Sequence, residues 1–244
     1  MRNDGTTEAL REKNANTFVI GDIHGCHGPL LDLLKQANPN PESDRLIFLG
    51  DYINRGPESR EVLEELIRLG NHFQHTIFLK GNHEVMFLNF INGQEHDLFF
   101  SSGGIETLKS YGISNYWHPQ PRTLFPKDHI NFLENLLPYW ADDNFIYVHA
   151  GIEVNKHLAQ QDPEWLYWAS QDRFINSPTN LSRQVIFGHF AHPQPLVMRD
   201  KIGVDCGAVY GGRLACLVLP EMRFVSVKSA QYWPGPLPEP FNFT

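Results

Sequence analysis

Five short apolar runs in this chain end alike, each passing into a polar residue able to hold a metal ion or a proton. Thr17-Phe-Val-Ile20 leads to Gly21-Asp22, Leu46-Ile-Phe-Leu49 to Gly50-Asp51, and Thr76-Ile-Phe-Leu79 to Gly81-Asn82-His83. Phe145-Ile-Tyr-Val148 leads to His149, and Gln184-Val-Ile-Phe187 to Gly188-His189. Runs of this length, rich in β-branched and aromatic residues, read as buried strands. Helix signals follow the first three: Pro29 ahead of Leu30, Leu31, Leu33 and Leu34; Pro57 ahead of Val62, Leu63, Leu66 and Ile67; and the stretch from Glu84 to Ile91. Proline in the first turn and apolar residues three and four apart are the expected cues. Strand, loop and helix thus recur three times. Closely spaced runs at Lys201–Val204, Leu214–Leu219 and Arg223–Val227 predict further strands.

At 244 residues the chain can bury a sizeable core without staples. Residues 1–15 read as a polar tail and 16–230 as a single domain. Within it, 94–143 is a less regular, cap-like excursion with helices at Ile105–Ser110 and Asp128–Leu136, expected to lie over one sheet edge. Residues 231–244 carry Pro234, Pro236, Pro238 and Pro240, which exclude a regular helix or central strand. Tyr232, Trp233, Phe241 and Phe243 would dock this tail on the body, with a mobile extension or a partner-binding strip as equal alternatives. The net charge of −8 argues against a binder of nucleic-acid phosphates. No run approaches the ~18 apolar residues of a membrane helix. Neither nucleic acid nor membrane is therefore an expected partner. Cys26, Cys206 and Cys216 share no disulfide or zinc spacing, and no apolar leader follows Met1, so a cytoplasmic setting is expected. The sequence sets no oligomeric state.

Ligands of open α/β sheets bind beyond the carboxyl ends of the strands. Here those ends carry Asp22, His24, Asp51, Asn82, His149 and His189. Either aspartate alone reads as a helix N-cap, and either histidine as a core residue. Their matching contexts reverse that reading. Carboxylate and amide oxygens mixed with imidazole suit Mn²⁺, Fe or Zn²⁺. Six side chains exceed one shell but fit two incomplete shells sharing a carboxylate. Two ions ~3.5–4 Å apart can clamp an in-line phosphoryl displacement. His83 is placed to serve as the acid and Arg55 as the phosphate clamp.

Gly21-Asp22-Ile23-His24-Gly25, Gly50-Asp51-Tyr52-Ile53-Asn54-Arg55-Gly56, Gly81-Asn82-His83-Glu84, Val148-His149-Ala150-Gly151 and Gly188-His189 resemble the successive motifs of the phosphoprotein phosphatase family of metallophosphoesterases. The resemblance implies a four-layer α/β/β/α sandwich with mixed sheets. It assigns Asp22 and His24 to one metal, Asp51 to the bridge, and Asn82, His149 and His189 to the other metal. A metal-bound hydroxide would be the nucleophile, His83 would protonate the leaving oxygen, and Arg55 and Asn82 would hold phosphate. Tyr210 resembles a tyrosine lining the site. Two divalent ions are implied, Mn²⁺ first, with Fe, Zn, Ni or Co as alternatives.

Three departures bear on the substrate. Asn54 replaces the second aspartate of the second motif; it is expected to accept a hydrogen bond from His83 without bringing charge, so that the pKa of His83 is lower and less of the acid form is present. In Trp168-Ala-Ser-Gln171-Asp-Arg173-Phe174, the phosphate-gripping arginine of bacterial relatives is replaced by Gln171, with Arg173 two residues away as a candidate. Phe190 follows His189, where protein phosphatases carry threonine and diadenosine tetraphosphatases an aromatic. Tyr52, Glu84 and the segment Gly103-Gly-Ile-Glu-Thr-Leu-Lys-Ser-Tyr-Gly112 lean towards the protein phosphatases. The expected activity is hydrolysis of phosphate monoesters, foremost phosphoserine or phosphothreonine on proteins. The alternative is a diadenosine tetraphosphatase or another hydrolase of nucleotide polyphosphates. A non-catalytic module that kept the fold would have lost ligands, and all six are present with His83.

Overall fold

A computed structural model describes residues 15–235. Three strand–helix units come first: β1 (Thr17–Ile20) and α1 (His27–Ala37), β2 (Arg45–Phe48) and α2 (Ser59–His72), β3 (His75–Phe78) and α3 (Asn82–Ile91). Short helices α4 (His96–Phe99), α5 (Ile105–Ser110) and α6 (Lys127–Glu134) follow. Then come β4 (Tyr139–Ala141), β5 (Phe145–Val148), α7 (Pro163–Trp168) and α8 (Gln171–Phe174). The chain closes with β6 (Gln184–Phe187), β7 (Leu196–Val197), β8 (Lys201–Gly203), β9 (Arg213–Leu219) and β10 (Arg223–Lys228).

The strands form two mixed five-stranded sheets, ordered β10-β9-β1-β2-β3 and β4-β5-β6-β8-β7. Alternation along each strand shows why two sheets stack. Phe18, Ile20, Leu46 and Phe48 face the core under α1, α2 and α3, whereas Val19 and Ile47 face the second sheet. From that sheet, Tyr147 and Ile186 meet them, while Ile146, Val148, Val185 and Phe187 turn outward to Leu166, Ala169 and Phe174. Side chains of successive strand residues point to opposite faces, so strands apolar at every position need cover on both sides. That requirement yields helix, sheet, sheet, helix.

Element boundaries shift slightly from the sequence expectation. α2 begins at Ser59, two residues after Pro57, and buries Val62, Leu63, Leu66 and Leu69; Ile67 is half-buried. Truncating one such leucine to alanine typically costs about 2–5 kcal/mol. In the segment 94–143, α5 packs on α2, and α6 packs on α2 and α3 and reaches the edge strand β3, where Phe132 meets Phe78 edge-to-face with ring centroids 4.9 Å apart. The segment's end also runs beside β3, where Leu137 N donates to Phe78 O (3.0 Å) and Lys80 N to Leu137 O (2.8 Å). It then becomes β4, a strand too short to announce itself. At the C-terminal side, Tyr232 and Trp233 donate backbone N–H to Val209 O and pack on the helix-side core. Phe241 and Phe243 lie outside the described residues, as does most of the N-terminal tail. Among the described residues, no helix is long and apolar enough to cross a membrane.

Candidate active site

The loops leaving β1, β2, β3, β5 and β6 place Asp22, His24, Asp51, Asn82, His83, His149 and His189 at the carboxyl edge of the paired sheets. All are buried except His189, which is half-buried. The turns are sharp. His24, Asp51, Asn54, Arg55 and His189 take left-handed backbone with φ of 46°, 54°, 71°, 68° and 62°. Such conformations are uncommon outside glycine and cluster where function holds them. The glycines ahead of the polar residues answer a second demand: a Cβ at Gly81 would strike Asp51 Oδ1, and one at Gly188 would strike Asp22 Oδ1.

Asp51 is the shared element. Its Oδ2 lies 3.4 Å from His24 Nε2 and 3.9 Å from His83 Nε2, and its Oδ1 lies 3.4 Å from His149 Nε2. Two overlapping groups result, His24–Asp51–His83 and Asp51–His149–His189, each with ligand atoms within 4.8 Å of one another. Backbone carbonyls set the tautomers. His24 Nδ1 donates to Ile53 O and His149 Nδ1 to Leu49 O, both at 3.0 Å, which leaves the Nε2 lone pairs facing inward. The inward amide atom of Asn82 sits 2.9 Å from His149 Nε2, 3.2 Å from His189 Nδ1 and 3.3 Å from both Asp51 oxygens. With oxygen inward, these lone pairs converge as they would on a cation. With nitrogen inward, the amide donates to the same atoms. Asp22 accepts the backbone N–H of His189 on both oxygens at 3.1 Å, which ties the first loop to the last.

The electrostatics agree. Burial, then repulsion from Asp205 and Asp51, pushes the Asp22 carboxyl up; burial pushes Asp51 up against the pull of Arg55. Burial holds His24, His83, His149 and His189 below the usual imidazole range. Neutral imidazoles with inward lone pairs and crowded carboxylates form a donor set able to bind divalent cations; His83 joins His24 and Asp51 in one such group, and Asp22, expected there from the sequence, is in neither group.

Two carboxylates here went unassigned in the sequence reading. Glu84 accepts the backbone N–H groups of Asp51 (2.8 Å), Tyr52 (2.8 Å) and Gly81 (2.9 Å), locking the second and third loops together. Asp205 follows β8 just as Asp51 follows β2, and it takes Gly207 N–H at 2.9 Å. Extending the strand-end rule to Ile202-Gly-Val-Asp205 would have found it.

A cavity of about 250 Å³ opens over these groups, lined among others by Asp51, Arg55, His83, Gln171, Phe190 and Tyr210. Arg55 Nη1 lies 2.9 Å from His24 Nε2, and the guanidinium lies over the Tyr210 ring at 5.5 Å. Gln171 lines the cavity. Arg173 instead lines a neighbouring cleft with Glu164, Trp165 and Trp168, because two residues along the short helix α8 turn a side chain to another side.

Asn54 does not take the expected acceptor role. Its Nδ2 faces His83 Nδ1 at 3.0 Å, while its Oδ1 accepts the Thr107 hydroxyl at 2.7 Å. A separation of 2.7 Å is typical of O–H···O and short for N–H···O, consistent with oxygen on the Thr107 side. With the amide placed this way, Nδ2 donates to His83 Nδ1, the arrangement that goes with the His83 tautomer protonated on Nε2.

The calcineurin-like phosphoesterase family profile matches residues 15–216. The chain belongs to this family. It is a metallophosphoesterase-type hydrolase, and its two mixed sheets with outer helices are the family's architecture. A symmetrical bis(5'-nucleosyl)-tetraphosphatase of Marinomonas sp. is 27% identical, covering 85% of this chain and 94% of the relative. Serine/threonine-protein phosphatase 2 of Salmonella typhimurium is 29% identical over 81% of this chain and 90% of its own. A solved structure described as a "putative diadenosine tetraphosphatase" superposes with a TM-score of 0.68 at 26% identity, covering 91% of this chain and 95% of the other.

Proposed function

We propose that this metallophosphoesterase hydrolyses phosphoanhydrides, with dinucleoside polyphosphates such as diadenosine tetraphosphate as the substrate class. The carrying observation is the neutral Asn54 amide 3.0 Å from His83 Nδ1, where a carboxylate would stabilise imidazolium. Asp22, His24, Asp51, Asn82, His149 and His189 would hold two divalent ions, Mn²⁺ first among them. When bound, such a pair supplies Lewis acidity towards phosphoryl oxygens and makes water a nucleophile at neutral pH.

The remaining steps belong to the side chains. Arg55 grips non-bridging oxygens with a fixed fork of donors. His83, neutral and protonated on Nε2, donates a hydrogen bond to the leaving oxygen. A neutral imidazole N–H is a far weaker acid than imidazolium, so it stabilises developing charge without transferring a proton readily. Terminal phosphates of nucleotides leave well under those terms, and seryl or threonyl alkoxides leave poorly. Tyr210 and Phe190 wall the cleft. The buried free thiols Cys26, Cys206 and Cys216 support a cytoplasmic setting.

A second reading, a serine/threonine protein phosphatase, is favoured by the Salmonella relative. Matched assays of diadenosine tetraphosphate and a phosphothreonine peptide with Mn²⁺ separate the two. The dinucleotide should be the better substrate by orders of magnitude in kcat/KM. Faster turnover of the peptide would replace the anhydride reading with the second one.

A further inference from the structure

Thr107 lies on α5, in the excursion, and is fully buried. It reaches Asn54 across 53 residues of chain and contacts it twice: Oγ1 donates to Asn54 Oδ1 at 2.7 Å and accepts Asn54 N–H at 2.9 Å. Ser59 Oγ stands 3.0 Å from the same hydroxyl and also takes Asn54 N–H, at 3.1 Å. One turn earlier, Gly103 O accepts the backbone N–H of Arg55 at 3.0 Å. A Cβ at Gly103, whose φ is +89°, would press on the Arg55 backbone at 2.8 Å. The segment 103–107 therefore holds two of the left-handed residues of the second motif loop, Asn54 and Arg55. Asn54 and Arg55 are strained on their own, and these bonds offset the strain.

We infer that Thr107 is a positioning residue of the site: its hydroxyl orients the Asn54 amide so that the amide nitrogen faces His83 Nδ1, which keeps the His83 proton on Nε2, the nitrogen facing the cleft. The excursion thereby sets which leaving groups the site accepts, although Thr107 touches no substrate. The leaving-group consequence rests on the phosphoanhydride reading; the tautomer does not.

The hydroxyl is necessary because an amide has two ends of nearly equal shape. Without a donor at Oδ1, either end can face His83, and the imidazole proton follows whichever is there. With Nδ1 carrying the proton, Nε2 would present a lone pair to anionic phosphate.

The test is ¹⁵N NMR of the histidine rings in zinc-loaded protein, which is diamagnetic, with His83 assigned by the signals lost in His83→Asn. Wild type should show His83 protonated on Nε2 and bare on Nδ1. Thr107→Val should lose that single tautomer and lower kcat on diadenosine tetraphosphate by about 10²-fold, the scale of losing one preorganised donor. KM should change little, and Thr107→Ser should restore both readouts. An Nδ1-protonated His83 in wild type overturns the inference without any variant, as does a Thr107→Val tautomer identical to wild type. Equal damage from Thr107→Ser and Thr107→Val would reduce the contact to packing and overturn it too. Because the NMR needs no substrate, failure of the anhydride reading would appear separately, in the matched assays alone.

Discussion

Glu84 accepts the backbone N–H of Asp51 at 2.8 Å, so the orientation of the shared aspartate is set by a second buried carboxylate. Both Glu84 oxygens are used, one by Tyr52 and the other by Asp51 and Gly81. Glutamine would turn an NH₂ group towards at least one of these donors. Glu84→Gln should weaken divalent-ion binding by about 10–100-fold, as loss of an orienting partner does elsewhere, and lower stability by about 1–3 kcal/mol. Calorimetric titration with Mn²⁺ and urea unfolding check the two effects. Unchanged affinity would remove Glu84 from the machinery.

Asp51→Asn should abolish turnover of anhydride and ester alike and leave at most one of two Mn²⁺ equivalents bound at saturation. Metal counting on dialysed protein decides it. Two tightly bound ions in the variant would mean that Asp51 is not the bridge.

Asn54→Asp reverses the hydrogen bond to His83 and adds a charge that stabilises imidazolium. Thr107 can still donate to one carboxylate oxygen. The variant should raise kcat/KM for aryl and seryl phosphates by about 10²-fold, the low end of general-acid effects, with a much smaller gain on diadenosine tetraphosphate. An equal gain on both would discard the leaving-group account.

Arg55→Ala should raise the inhibition constant of orthophosphate by about 10–100-fold, the scale of a lost charge-assisted hydrogen bond. Retained inhibition would leave Arg55 only its place beside His24 and Tyr210.

Proton linkage gives a further expectation for metal-stripped protein. Burial raises the carboxyls of Asp22, Asp51, Asp205 and Glu84, with Glu84 pushed up to about 8. The folded chain then keeps protons the unfolded chain has released, so this contribution falls as pH rises through the raised values. Burial lowers His24, His83, His149 and His189, whose contribution rises with pH until the ordinary value of 6.5 is passed. The two oppose each other below that point, and only the carboxylates act above it. Tm should therefore fall between about pH 6.5 and pH 8.5, and saturating Mn²⁺ should remove the slope. Scanning calorimetry after chelation, at both ends of that interval, reads the sign; a rising Tm would contradict it.

The strand ends were legible because each joins a local apolar run to a polar residue, and both halves of that signal are contiguous. Asp205 escaped because β8 spans only Lys201–Gly203 and no glycine immediately precedes the aspartate. Glu84 was visible as a letter of its motif, but its work is on the backbone of Asp51 and Tyr52, which no spacing reveals. The direction of the Asn54 bond was out of reach for a different reason. An amide takes its orientation from its partners, and the deciding partner, Thr107, lies 53 residues away. Gln171 and Arg173 were separated only once α8 fixed the sides they face.

The contact between Asp22 and the His189 backbone joins positions 167 residues apart, one from each sheet. A ribosome must therefore have released residue 189 before this junction can close. A polypeptide stalled short of residue 189 would lack this junction and the imidazole that follows it. Closure of this junction thus marks the moment at which strands made early and late in synthesis have found each other.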